Sequence, residues 1–117
     1  MGDFKKLQVW QKAHELAMDV HRRAKHIRGA QNAALRSQMT RAAQSIAANI
    51  VEGRSQRSER EFRRFLGYSL SSAAELEYHL IVARDIGCLS DAEFEALMDK
   101  LNSVRKMLIA LIARLAA

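Results

Sequence analysis

Proline is absent from all 117 residues, glycine occurs five times, and cysteine once, at Cys88. A chain so poor in breakers and rich in Ala, Leu, Arg and Glu is neither collagen-like nor a turn-rich β-sandwich. A lone cysteine excludes a disulfide scaffold. Aromatic residues supply 6% of the chain, which leaves little surface for base stacking. Long apolar runs are missing too: the longest, Met107 to Ala113, is far short of the roughly 20 residues that span a bilayer. The opening Met1-Gly2-Asp3-Phe4-Lys5-Lys6 has no signal-peptide core, and Lys6 stands where a myristoylation signal wants Ser or Thr. These features lead us to expect a cytoplasmic protein without a membrane partner.

What remains is 49% hydrophobic and 27% charged, in a length that suits one domain, 1–117, around one core. The net charge of +6 is unevenly placed. Residues 1–56 hold ten Lys/Arg against four Asp/Glu, whereas residues 57–117 hold nine against nine. Such an excess either favours a polyanionic partner, RNA or DNA, or simply keeps the protein in solution.

Apolar residues recur at steps of three and four. Trp10, Ala13, Ala17, Val20, Ala24 and Ile27 form one stripe; Leu35, Met39, Ala42, Ile46 and Ile50 a second. Phe62, Leu66, Ser69, Ala73, Leu76, Leu80 and Ala83 form a third, and Phe94 through Leu115 a fourth. This spacing turns one face of each helix toward its neighbours. Gly29, Gly53 and Gly87 follow these segments, where a left-handed C′ residue ends a helix. Ser58–Glu61 and Ser90–Glu93 read as capping boxes. The spacing therefore predicts helices near 8–28, 32–52, 59–86 and 91–115. Their short connections make the fold class all-α, an up-down-up-down antiparallel four-helix bundle.

Three features bear on function. Gln38, Arg41, Ser45, Asn49 and Glu52 share one face of the second helix, flanked by alanines. The stripe is either a solvated outer face or a polar network closed by the third helix, which offers Ser72, Glu75 and His79. In the second case Arg41 pairs with Glu75, inside the bundle or at a subunit contact. Next, Arg54, Arg57, Arg60, Arg63 and Arg64 crowd the second turn, opposed only by Glu59 and Glu61. The topology brings Lys5, Lys6 and Arg114 to that end. Forked guanidinium groups suit phosphate oxygens, although local Arg–Glu pairing accounts for the same cluster. Finally, Met107 to Ala113 is apolar all round. Self-association through Ile109 and Ile112 uses the second greasy face; a thick core or a frayed end is the other reading.

Enzyme chemistry has no foothold. No Glu-x-x-His pair, phosphate-cradling loop, nucleophile elbow or zinc spacing occurs. No catalytic residue, metal ligand or cofactor is expected. A basic patch at the opposite end (Arg22, Arg23, Lys25, His26 and Arg28) complements a helix C-terminus, which is reason enough for it.

The residues also carry a resemblance. Leu7-Gln8-Val9-Trp10-Gln11-Lys12-Ala13, the stretch Gln38 to Gly53, and Glu61-Phe62, Phe65-Leu66, Ser72 and Glu75-Leu76-Glu77 resemble the proteins encoded in intervening sequences of bacterial 23S ribosomal RNA genes. The accessory variability determinants of diversity-generating retroelements belong to the same broad family. The resemblance implies a homopentamer of four-helix bundles with a basic surface that binds nucleic acid and a reverse transcriptase, and no enzymatic activity. It also implies a shared polar network at Arg41, Asn49, Glu52 and Glu75. Two departures stand out: the first connection lacks the family's frequent proline, and Ser71-Ser72 replaces a frequent Gly-Ser. The expected function is a non-enzymatic, self-assembling bundle that grips nucleic-acid backbone. Its rival is a homo-oligomeric scaffold that docks a protein such as a reverse transcriptase, with little direct contact to nucleic acid.

Overall fold

The computed structural model describes residues 2–116. Among them lie four α-helices: α1 (Gln8–Ala24), α2 (Ala33–Arg54), α3 (Glu59–Asp85) and α4 (Asp91–Ala116). Short 3₁₀ turns at Phe4–Lys6 and Ala30–Asn32 precede the first two. Each helix packs on the next and α4 closes on α1, so the bundle expected from the stripes forms. Contacts along the seams fix the antiparallel sense. Arg23 bonds Glu93 on α4 while Gln8 lies by Leu111, and Gly53 meets Phe62 while Ser45 meets Ser72.

The stripes become the core. Leu16, Val20, Met39, Ile46, Ile50, Phe62, Leu66, Leu76, Leu80, Leu101, Val104 and Leu108 are all fully buried. Each such side chain contributes about 1.5–3 kcal/mol relative to an exposed one. Helix ends account for the rest of the register. Cys88 N–H bonds the Ala83 carbonyl at 2.8 Å and Gly87 N–H bonds that of Arg84 at 3.0 Å, with Gly87 at φ 83°. This is the left-handed stop expected at Gly87. The Ser90 box closes in both directions, Glu93 N–H to Ser90 Oγ and Ser90 N–H to Glu93 Oε1. At Ser58 only half forms: Oγ accepts from Glu61 N–H, while the Glu61 carboxylate pairs with Arg64.

Two expected helix stops are corrected. Helix α1 ends at Ala24 rather than near 28, because His26 and Ile27 bond back three residues in tight turns. Ile27 still reaches the core, and Gly29, at φ 98°, opens the following 3₁₀ turn instead of capping α1. Gly53 lies inside α2, buried and without positive φ. Packing is its reason: a Cβ there would sit 2.8 Å from Phe65 Cβ and 2.9 Å from Phe62 Cδ1.

Ion pairs concentrate on the α1–α4 seam. Asp19 receives both Lys100 and Arg22, Glu15 lies 4.0 Å from Lys100, and Arg23 holds Glu93 at 2.9 Å. Burial pushes the Asp19 carboxyl up, but hydrogen bonds from Lys100 and Arg22 outweigh it and hold the group below its ordinary 3.8. The Ser90 amide, aided by Arg23, holds Glu93 below its ordinary 4.5.

Two outcomes are expected. Gly53→Ala lowers stability by about 1–3 kcal/mol through overpacking, despite its better helix propensity. Gly67→Ala, in α3 with nothing within 4 Å of the new methyl, raises it by up to about 1 kcal/mol in the same urea titration. The acid response follows from the two lowered carboxyls. Below pH 4.5 and then 3.8, the unfolded chain binds protons that the folded chain still refuses, so stability falls as pH drops through that range. Asp19→Asn removes its share, so urea midpoints of this variant fall less steeply with acid than those of the parent. Parallel curves would remove Asp19 from the account.

Candidate nucleic-acid interface

One end of the bundle gathers the cations that the sequence assigns to phosphate. The 3₁₀ turn carrying Lys5 and Lys6 is fixed there by its own chemistry. Asp3 Oδ1 accepts from Lys5 N–H at 3.0 Å, Gln11 Nε2 bonds the Lys5 carbonyl at 2.9 Å, and Phe4 packs edge-on to Trp10 at 5.0 Å. Trp10 in turn stacks on His14. The turn packs against both α1 and α2, and Arg54, the last residue of α2, reaches Gly2. Arg114 lies by Leu7 and Gln8. Chain order separates these groups by up to the length of the molecule; the antiparallel fold brings them together.

The cations are not equivalent. Arg57, Arg60, Lys5 and Lys6 are exposed, and none has a carboxylate within 4.0 Å among the described residues. Arg63 is half-buried, and its Nη1 donates to the Leu115 carbonyl at 2.8 Å, tying α3 to the end of α4. Arg64 pairs with Glu61 at 2.9 Å and lies over Phe65 and Tyr68. Arg54 is half-buried against the Phe62 ring, its Nε buried without a hydrogen-bond partner. Of the five arginines in the cluster, Arg57 and Arg60 are thus open to a partner, while the other three are engaged in the fold. Charge spacing alone does not separate the two kinds.

The polar stripe divides in the same way. Ser45 Oγ and Ser72 Oγ share a hydrogen bond of 2.8 Å across α2 and α3, and Asn49 Nδ2 donates to Ser45 Oγ at 3.1 Å and to its carbonyl at 2.9 Å. Ser69, read as an apolar-stripe position, adds an unforeseen member: its Oγ donates to the Ile46 carbonyl at 2.8 Å. Gln38, Arg41 and Glu52 stay exposed, and so does Glu75. The expected Arg41–Glu75 ion pair is absent from this chain. Both side chains border one open cleft of about 370 Å³, with Gln38 and Gln44, and the basic side chain within 4.0 Å of Glu75 is His79, its Nε2 3.7 Å from the carboxylate. Exposure is the physical reason: water solvates both charges well, so nothing compels them to meet.

On α4, Ile109 is 55% exposed, whereas Ile112 is half-buried and packs on the core. The second apolar face is therefore centred on Ile109, with Ala110 and Ala113 also exposed. No group of three or more His, Cys, Asp or Glu among the described residues is placed to hold a metal ion. No helix among the described residues is long and apolar enough to cross a membrane.

Because Glu75 is exposed and makes no hydrogen bond among the described residues, Glu75→Gln leaves the thermal midpoint equivalent to a change within about 0.5 kcal/mol. A loss of about 3 kcal/mol would instead mean that the carboxylate is paired and dry.

Comparison with known proteins agrees with the architecture. No curated protein matches the chain. A crystal structure of a protein of unknown function from the S23 ribosomal protein family of Bacteroides thetaiotaomicron superposes with a TM-score of 0.82 at 27% identity, covering 89% of this chain and 97% of that one. The family model for the 23S rRNA-intervening sequence protein matches residues 5–110, a span that takes in the lysine turn, the serine seam and the arginine turn. The chain belongs to the 23S rRNA-intervening sequence protein family.

Proposed function

We propose that this chain is a non-enzymatic, self-assembling bundle of the cytoplasm that holds RNA or DNA by its phosphate backbone. The observation that carries the reading is the convergence of Lys5, Lys6, Arg57 and Arg60 at one end, all exposed and without a carboxylate partner among the described residues. A local solvated helix start would pair its cations, as Arg64 does with Glu61. Guanidinium and ammonium groups grip phosphate oxygens by charge-assisted hydrogen bonds. Contacts of this kind set position without reading bases, so binding is tolerant of sequence.

Self-association supplies the strength that one small patch lacks. The exposed Ile109 face on α4 is suited to a second copy, and the likeness to the accessory variability determinants favours a pentamer. Five patches acting together raise avidity without any new contact. The scaffold reading, in which the assembly docks a protein such as a reverse transcriptase, has one observation in its favour. Tyr78 is 62% exposed on α3, outside the core and outside the basic cluster. An exposed aromatic of this kind suits a protein surface.

Fluorescence anisotropy of a labelled RNA stem-loop and a DNA duplex decides between them. If the assembly neutralises about six phosphates, affinity falls roughly a thousandfold between about 50 and 200 mM salt. Arg57→Ala with Arg60→Ala weakens binding while sedimentation shows the oligomer intact. No binding by an intact oligomer at low salt would overturn the reading and leave the scaffold.

A further inference from the structure

Charge is sorted across the two flanks of α1. Its carboxylates, Glu15 and Asp19, both lie on the α4 side within reach of Lys100, and Arg22 and Arg23 are paired there too. That flank is electrically settled. The other flank faces the N-terminal half of α2 across a shallow groove of about 610 Å³. His21, Lys25, Arg36, Ser37, Thr40 and Arg41 line it with Ala24 and Ala33, and no carboxylate among the described residues does.

Two of its cations have structural explanations. Arg36 is half-buried and its Nη1 donates to the carbonyls of Ile27 and Gly29, at 2.8 and 3.0 Å, which pins the guanidinium at the rim. Lys25 follows α1 directly, where a cation complements the helix C-terminus. Arg41 has no such explanation. It lies about two turns inside α2, exposed, far from either helix end, and without a carboxylate within 4.0 Å among the described residues. Among the described residues that line the adjoining cleft Glu75 is the one acid, yet Arg41 does not pair with it. Thr40 Oγ1 is spent on the Arg36 carbonyl at 2.9 Å; the Ser37 hydroxyl makes no bond among the described residues. A groove lined by two open cations, Lys25 and Arg41, with Arg36 pinned at its rim, a free hydroxyl donor and no acid among the described residues has the chemistry of a phosphodiester site.

We propose that the α1–α2 groove around Lys25, Arg36 and Arg41 is a second phosphate-binding site, for backbone of the same nucleic acid that the arginine turn holds. The inference rests on the nucleic-acid reading of the previous section. Along α2, Arg36 and Arg41 lie 18 and 13 residues before Arg54, about 27 and 20 Å at 1.5 Å per residue, and the lysine turn at the Arg54 end also packs on α1 and α2. At 3.4 Å per base pair, about 6 to 8 base pairs of duplex cover that distance. One backbone can therefore run along the α1–α2 side and engage both.

Anisotropy with a duplex of about 20 base pairs tests this on the full chain, comparing Lys25→Gln/Arg41→Gln with Arg57→Ala/Arg60→Ala and the parent. Both substituted side chains in the first variant are exposed, and circular dichroism confirms its fold. The expected result is weaker binding by Lys25→Gln/Arg41→Gln, with a log–log salt dependence shallower by about two. If Arg57→Ala/Arg60→Ala weakens binding while Lys25→Gln/Arg41→Gln changes neither affinity nor slope, the groove is overturned and the arginine turn stands. If only the groove variant weakens binding, the second site stands and the arginine turn does not. If the folded parent binds no duplex at low salt, both fall.

Discussion

The close approach of α2 to α3 is the constraint on which the rest of the structure depends. Small residues line it from end to end: Ala42 and Ser45 on one helix, Ser69, Ser72 and Ala73 on the other, and Gly53 with its bare Cα against Phe62 and Phe65. Backbones this near leave no room for a register slip of one turn, because the next turn would drive a larger side chain into the seam. The serine bonds add direction to that fit. A buried hydroxyl needs a partner, and Ser45, Ser72 and Ser69 find theirs across the seam in this register, while Asn49 braces Ser45 from within α2.

Function follows from that register. With α2 and α3 locked, the turn between them places Arg57 and Arg60 at one end, beside the 3₁₀ turn that Phe4 and Trp10 hold against α1. The α1–α4 seam then absorbs the acids of α1 into ion pairs, so the remaining positive charge lies elsewhere, at the arginine turn and along the α1–α2 flank. A net charge of +6 says little by itself. Its segregation by helix packing makes an ordered field for a polyanion.

How much of this was legible in the sequence varies with the kind of interaction. Periodicity gave the four helices because burial repeats with the helical period, and Ser90 and Gly87 marked ends because caps are local. Gly53 misled for the opposite reason. A glycine near a helix end looks like a stop, but the need here comes from Phe62 and Phe65, nine and twelve positions away in sequence. The same limit governs the charges. Arg63 and Arg57 are indistinguishable in the sequence, yet one is bonded to a carbonyl of α4 and the other is open. Arg41 and Glu75 were brought to one cleft as the spacing suggested, though not into contact, since spacing fixes the face of a helix and water decides whether exposed charges pair. The Ser45–Ser72 contact was foreshadowed by matching heights on the two helices, whereas the bond from Ser69 to the Ile46 carbonyl had no linear signal.

The central claim is that the cations left unpaired by folding are the ones that meet nucleic acid. Two-dimensional NMR of the arginine side-chain and backbone amides, with an oligonucleotide added stepwise, tests it residue by residue. The account predicts that Arg57, Arg60, Lys5 and Lys6 move first and furthest while Arg63 and Arg23, held by Leu115 and Glu93, barely respond. Shifts spread evenly over paired and unpaired cations, or confined to the Ile109 face of α4, would contradict it.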